Sequence, residues 1–196
     1  MLHRHLAAIF GLAPLSGPFI LSTLAYSFAG LAVLVLLRPD PLLVARELAA
    51  EVKEASPLSD GQADRRALFV GTAALVISQM VMVAIMTMTP IHMIGHGHSL
   101  SSAGLVISIH IAAMFLPSLL SGVLADRIGN IRVVALGSIT LLLAGMSASL
   151  APADSLPLLA FALALLGLGW NFCLVAGTAM VTGALPLSIR ARMQGR

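Results

Sequence analysis

The chain has 196 residues, of which 59% are hydrophobic and 10% charged, and its net charge is +3. Soluble domains carry about 25% charged residues, so this composition excludes an ordinary soluble domain and predicts an all-α, polytopic bundle of transmembrane helices. The pI near 10.0 does not indicate nucleic-acid binding, because the basic residues lie at the ends of hydrophobic segments and not in patches interleaved with aromatic residues.

Five hydrophobic segments are predicted to span the lipid bilayer. Each is nearly free of charge and about as long as the ~20 residues that a helix needs to cross ~30 Å of hydrocarbon. The first is interpreted as a membrane helix and not as a signal peptide, because its apolar run is too long and no small-residue cleavage site closes it. The predicted spans are Gly17–Leu37, Ala67–Pro90, Leu100–Gly122, Val133–Leu150 and Leu156–Thr182.

The basic residues predict the orientation of these spans. Of the eleven Lys and Arg residues, ten lie in residues 38–66, in residues 123–132 or in the tail after the last span, and Arg4 lies on the other side. Lys and Arg that flank a span are retained in the cytoplasm. We therefore predict that these three regions are cytoplasmic and that the chain is a multi-pass protein of the cell membrane.

Residues 38–66 form the longest hydrophilic stretch of the sequence. The run from Arg38 to Pro41 ends the first span, because proline lacks a backbone donor and restricts the residue before it. Charged residues at near-helical spacing between Glu47 and Glu54 predict a short cytoplasmic surface helix.

The connection after the third span combines two glycines with an acid–base pair. A carboxylate at a helix boundary can accept N–H groups from a neighbouring helix N-terminus, and arginine offers a planar fork to a carboxylate or to terminal carbonyls. We predict a latch that engages in one conformation and releases in another. A turn that only sets topology is the alternative, although such a turn needs no aspartate. The residues of this predicted gating loop are Gly122, Leu124, Asp126, Arg127, Gly129 and Arg132.

The segment from Gly122 to Gly129 resembles the signature loop of the major facilitator superfamily, G-x-L-A-D-R-x-G followed by a basic cluster, and departs from it in the two residues after Gly129. Residues 188–195 are similar to the loop after the family's tenth helix, and residues 88–100 to one bacterial branch. The resemblance implies a secondary active transporter that works by alternating access on a small-molecule substrate, with protons as the candidate coupling ion.

On this register the five spans correspond to the family's sixth to tenth helices. Residues 1–37 would then hold the last helix of the N-terminal half with a preceding external segment, residues 38–66 the central loop, and residues 67–196 four spans of the C-terminal half. A full member has twelve spans, and substrate sites lie between the halves. The resemblance therefore implies a truncated product or a fragment, which lacks the eleventh helix expected to dock Asp126. A non-transporting membrane scaffold or truncated remnant is the alternative.

Four polar or amphipathic side chains inside the spans are candidates for the transport path. His110 lies deep in the third span, where an ionisable residue suggests function, and histidine titrates near neutral pH. A neutral histidine bonded to a neighbouring helix is the alternative. Gln79 and Asn171 cost free energy when they face lipid, so we expect them to face other helices or a water-filled path, together with Trp170.

The last span carries Gly169, Cys173 and Gly177 four residues apart. Small residues at this spacing let helix backbones approach closely in lipid, so we predict a helix-packing surface there. Pro117 is expected to bend the third span.

No metal or cofactor is predicted. His92, His96 and His98 could bind zinc or copper, but no carboxylate or thiol accompanies them, and the methionines between Met80 and Met93 are interpreted as packing or lipid contacts. The G-x-x-x-x-G-K-[ST] loop that binds ATP is absent from the sequence, so we expect an ion gradient and not ATP to supply the energy.

An enzyme is not expected, because His110 has no acidic partner in any span and Cys173 has no evident base. Efflux of a small molecule is the favoured function. No predicted span holds Lys, Arg, Asp or Glu to pair with a charged substrate, and this favours neutral or hydrophobic cargo.

Overall fold

A computed structural model of the chain describes residues 17–38, 44, 64–152 and 154–184. The chain divides after Asp60 into two compact units. The first unit contains helix α1, Gly17–Leu36. Its apolar side chains are largely exposed, which is typical of a helix that lipid or other helices surround. The surface helix predicted between Glu47 and Glu54 and the tail after residue 184 lie outside the described residues.

The second unit contains five helices joined by short connections. They are α2 (Arg65–Gly95), α3 (Leu100–Phe115), α4 (Ser118–Ile128), α5 (Asn130–Leu150) and α6 (Leu156–Ala184). Five helical segments of the described residues are long and apolar enough to cross a membrane. Four of them are the single helices α1, α2, α5 and α6, and the fifth consists of α3 and α4 in succession. No strand occurs in this part of the chain. The predicted all-α bundle with five transmembrane segments is therefore confirmed.

Helix α6 lies at the centre of the second unit and packs against α2, α3, α4 and α5. Three clusters of buried apolar residues lie along α6, and each contains residues of α6 and of the neighbouring helices. Since apolar side chains gain nothing by leaving lipid for protein, such packing is stabilised by close van der Waals contact and interhelical hydrogen bonds. The fully buried side chains of these clusters include Met93, Val106, Val133, Leu163, Leu166 and Cys173.

Side chains cap two of the helices in the second unit. The Asp64 carboxylate accepts hydrogen bonds from the backbone N–H groups of Arg66 and Ala67, each at 3.0 Å, and so satisfies donors that the first turn of α2 leaves open. The Asp64 N–H donates to the Ala184 carbonyl at 3.2 Å, which ties the start of α2 to the end of α6. Ser99 caps α3 by accepting from the N–H of Ser102 at 3.1 Å.

Two predicted helix boundaries were wrong. Helix α2 continues through Pro90 and ends at Gly95, because a proline inside a membrane helix is tolerated where neighbouring groups adjust. Gly122 does not begin a turn but lies inside α4, which ends at Ile128. The chain reverses at Gly129 alone, whose φ of 89° is accessible to glycine and strained for other residues.

The third span is broken in its middle. Helix α3 ends at Phe115, and α4 begins at Ser118 after the turn that contains Pro117. Proline has no N–H to donate, and its ring clashes with the preceding turn of a helix. The expected bend at Pro117 is thus a two-residue turn between α3 and α4, in which Leu116 and Pro117 keep right-handed helical φ and ψ and the Leu116 N–H still donates to the Ala112 carbonyl at 2.9 Å.

Candidate functional site

Asn171 of α6 bridges the two halves of the broken third span. Its side chain is fully buried, and its amide nitrogen donates to the Met114 carbonyl at 2.7 Å and to the Ser118 hydroxyl at 2.8 Å. The Ser121 hydroxyl lies in hydrogen-bond contact with the Asn171 amide oxygen and with the Pro117 carbonyl. Asn171 therefore holds α3 and α4 at the point where the backbone ladder is interrupted.

His110 lies two turns nearer the start of the third span, against the same helix. Its ring is fully buried, and its Nδ1 lies 2.9 Å from the Leu163 carbonyl. A carbonyl oxygen accepts and cannot donate, so Nδ1 carries the hydrogen and Nε2 of the neutral ring is a bare acceptor. Among the described residues, His110 Nε2 is the one buried side-chain nitrogen or oxygen that has no hydrogen-bond partner.

Gly167 allows α3 and α6 to approach between these two side chains. A Cβ on Gly167 would lie 2.5 Å from the His110 carbonyl oxygen and 3.1 Å from the Met114 nitrogen. Any larger residue would push the helices apart. We call this contact the polar seam, and its residues are His110, Ser118, Ser121, Gly167 and Asn171.

Gln79, Phe115 and Trp170 meet at the surface of the second unit, and we call them the amide–aromatic patch. The Trp170 indole N–H donates to the Gln79 amide oxygen at 2.9 Å. The Phe115 ring meets the indole edge to face, with centroids 6.3 Å apart. Gln79 is residue 15 of the 31 in α2, and Trp170 is residue 15 of the 29 in α6. The patch therefore lies at the middle of its spans.

The structure thus separates the four predicted path residues into two pairs. Gln79 and Trp170 contact each other in the patch, whereas His110 and Asn171 are buried in the polar seam. Phe115, Ser118 and Ser121 were not identified from the sequence. Polar residues directly after the mid-span proline are the signal that could have identified the two serines.

The residues of the predicted gating loop lie around the end of α4. Asp126 and Arg127 are exposed in the last turn of α4, and Leu124 is half-buried. Arg132 donates to the Ile128 carbonyl at 3.2 Å, across Gly129. In the described part of the chain no ion pair involves Asp126, so the latch stays a prediction.

The three small residues of α6 face two different helices. A Cβ on Gly169 would lie 2.9 Å from the backbone nitrogen of Leu141 in α5, and Cys173 Sγ lies 3.9 Å from the Val134 carbonyl of the same helix. Gly177 faces α2 instead, where a Cβ on Gly71 would lie 2.9 Å from the Gly177 carbonyl. Between α2 and α5, an apolar groove of about 740 Å³ lies over Cys173.

The histidines near the α2–α3 connection do not gather a metal-binding set. The rings of His92 and His96 lie 4.2 Å apart, and His96 Nδ1 bonds to the His92 carbonyl at 2.8 Å. Within the described residues no three His, Cys, Asp or Glu side chains are grouped closely enough to hold a metal ion.

Comparison with known proteins identifies the family. A sequence model of the Major Facilitator Superfamily matches residues 2–196. The chain belongs to the major facilitator superfamily. The resemblance found around Asp126 is thereby confirmed, and with it the assignment to multi-pass membrane transporters. The family points to transport and not to an enzyme.

Several curated members of the superfamily resemble the chain. The uncharacterized MFS-type transporters YdeG and YddS of Bacillus subtilis (strain 168) are 47% and 48% identical over 190 and 191 residues, which cover 94% of this chain and 44% of each relative. The riboflavin transporter RfnT of Brucella anthropi is 42% identical over 124 residues, 63% of this chain and 30% of the relative. The chain thus spans less than half the length of these relatives. No solved structure matches it.

Proposed function

We propose that this chain is part of a secondary active transporter that exports a small molecule in exchange for protons by alternating access. The observation that carries the proposal is the amide–aromatic patch, where three helices bring Gln79, Phe115 and Trp170 together at the middle of their spans. The patch adjoins the break in the third span. Substrate sites of secondary transporters lie near the bilayer midplane and are often formed by discontinuous helices.

The arrangement of the chain in the membrane is part of this proposal. Residues 17–37 would form the family's sixth helix and residues 38–66 the cytoplasmic central loop. In the cell membrane, α2 would form the seventh helix, α3 with α4 the eighth, α5 the ninth and α6 the tenth. Residues 123–132 and the tail would also be cytoplasmic, because they hold basic residues next to span ends.

The chemistry of the patch favours a flat, uncharged substrate. Trp170 and Phe115 offer ring surfaces for stacking, and the Gln79 amide nitrogen can donate while its oxygen accepts from the indole. No Lys, Arg, Asp or Glu lies near the middle of a described span. Riboflavin is a specific candidate within this class, because one relative is named a riboflavin transporter and the ring system of riboflavin is flat.

Substitutions in the transporter that contains this chain test whether the patch contacts the substrate. Trp170→Leu and Gln79→Leu are expected to lower transport of riboflavin or the neutral dye Nile red into everted vesicles about tenfold, which corresponds to ~1.4 kcal/mol of lost transition-state binding. The measurement is the initial rate of uptake, driven by an acidic vesicle interior and corrected for the amount of protein.

Matched controls come from exposed apolar residues of the same helices. Phe161→Leu in α6 and Met80→Leu in α2 replace side chains that are 55% and 67% exposed and lie outside the patch. Both are expected to transport within about twofold of the wild type. Full rates in both patch variants would show that the substrate does not contact this surface.

A further inference from the structure

We propose that His110 is the proton-binding site of this transporter and that the contact of α6 with α3 keeps it closed in this conformation. The inference rests on the proposed proton-coupled transport and names the atom that takes the proton. Nε2 accepts a proton from a hydronium ion through its lone pair, which leaves a water molecule and a singly charged imidazolium. Release of the proton to water on the other side re-forms hydronium and the neutral imidazole.

In the polar seam, His110 carries an unpaired nitrogen, whereas the other polar side chains are paired. Asn171 of α6 forms hydrogen bonds with the Met114 carbonyl of α3 and with the Ser118 and Ser121 hydroxyls of α4. His110 donates through Nδ1 to Leu163, and Nε2 has no partner among the described residues. The bond from Nδ1 to Leu163 is sufficient to join the two helices, so helix packing does not explain why a second ring nitrogen is buried without a partner. A bare acceptor at membrane depth costs free energy unless it binds something.

Protonation of His110 would leave a buried charge that favours opening of the site. The protonated ring would carry two N–H groups, of which Leu163 accepts one and no described residue accepts the other. Burial of an unpaired charge is strongly unfavourable. Protonation therefore favours a conformation in which α6 moves away from α3 at Gly167 and water reaches Nε2.

Among the described residues, no charged partner at the depth of His110 would neutralise the imidazolium in place. Helix α3 carries no other titratable residue, and α6 carries only Cys173. The charged and titratable groups of the other described helices of this unit lie near helix ends and not at the depth of His110. They are Arg65, Arg66, His92, Asp126, Arg127 and Arg132.

His110→Asn separates proton binding from packing. The asparagine amide nitrogen can take the place of Nδ1 and keep the bond to Leu163, but it has no titratable atom. We expect it to lose riboflavin accumulation driven by a pH gradient by about tenfold or more, and to keep riboflavin exchange at equal pH within about twofold. Exchange needs no net proton movement. His92→Asn, on the exposed end of α2, is the matched control and should keep both activities.

The outcomes distinguish this inference from the proposed function. Gradient-driven accumulation that survives in His110→Asn overturns the proton site while the proposed function stands. A wild type whose accumulation ignores the gradient overturns the proposed coupling and the proton site together. The ¹⁵N spectrum of the histidine-labelled wild type in bilayers, compared with His110→Asn, should show a neutral ring that is protonated on Nδ1; a ring protonated on Nε2 overturns the assignment.

Gly167→Ala tests the opening of the site, first with His110 unchanged and then in combination with His110→Asn. Its Cβ would lie 2.5 Å from the His110 carbonyl oxygen, so it should hold the contact open and speed the collapse of a pH gradient in vesicles without substrate. Gly145→Ala in α5 is the control, because a Cβ there meets nothing within 4 Å. The leak should disappear when Gly167→Ala is combined with His110→Asn. A leak that persists in the double variant overturns the proposal.

Discussion

At the scale of single residues, the second unit depends on two side chains of opposite character. Asn171 is buried and forms bonds through both its amide nitrogen and its amide oxygen. His110 is equally buried, but in the part of the chain that the structure describes its Nε2 has no hydrogen-bond partner. A satisfied polar network inside a bundle stabilises one arrangement of its helices, whereas a buried acceptor without a partner costs free energy. The same seam therefore combines a structural clamp with a titratable group.

Asn171→Ala is expected to destabilise the protein by about 2 kcal/mol, because interhelical hydrogen bonds in membranes average ~0.6 kcal/mol and three are lost. The measurement is unfolding of the purified protein by denaturant in detergent micelles. Thr178→Ala is the control, since Thr178 is exposed on the same helix. Equal stability of the two variants would mean that the clamp contributes nothing.

At the scale of helices, glycines determine how closely α6 approaches its neighbours. Gly137 of α5 faces α6, and a Cβ there would lie 2.7 Å from Cys173 Sγ and 2.9 Å from the Gly169 carbonyl. The carbonyl is backbone and cannot move aside without moving the helix. The α5–α6 contact therefore depends on the absence of a side chain at this position.

Gly137→Ala and Gly145→Ala form a matched pair on α5. The first is expected to destabilise the protein by about 1–3 kcal/mol, the usual cost of overpacking. The second should be neutral or stabilising by up to ~1 kcal/mol, because alanine favours helix more than glycine does and a Cβ there has open space. Midpoints of thermal unfolding in micelles compare them, and a lower midpoint for Gly145→Ala than for Gly137→Ala would contradict the packing argument.

At the scale of the whole molecule, the end of α4 carries the residues of the predicted gating loop. Asp126 and Arg127 are exposed in the last turn of α4, immediately before the single-residue reversal at Gly129. A carboxylate at this position can bind the N-terminus of another helix through its dipole. Among the described residues no hydrogen bond or ion pair involves the Asp126 side chain, so the latch stays a prediction.

Asp126→Asn is expected to leave membrane insertion unchanged and to alter the transport rate of the transporter that contains this chain. The amide keeps the shape of the side chain but loses the charge that a helix N-terminus attracts. Insertion is measured by the amount of protein in the membrane and transport by uptake into everted vesicles. Asp154→Asn, in the exposed α5–α6 connection, is the control. Identical rates for wild type and Asp126→Asn would leave the loop with a topological role only.

The amino-acid sequence by itself determined the class of this protein, because hydrophobic length and charge are local properties. Five apolar segments, the basic residues beside them and the residues from Gly122 to Gly129 were sufficient for the membrane fold and the family. Boundaries were less predictable. Gly122 and Pro90 are compatible with helix in lipid, so neither marks a helix end.

Only the tertiary structure decided which side chains meet. His110 bonds to a carbonyl 53 residues away, and Asn171 to one 57 residues away. The spans are apolar on every side, so their sequences carry no amphipathic stripe to show which face is inward. The rotation of each helix follows instead from where glycines permit close approach and where a broken backbone requires a partner. For this reason Gln79 and Trp170 came together on one surface, while His110 and Asn171 were buried in another.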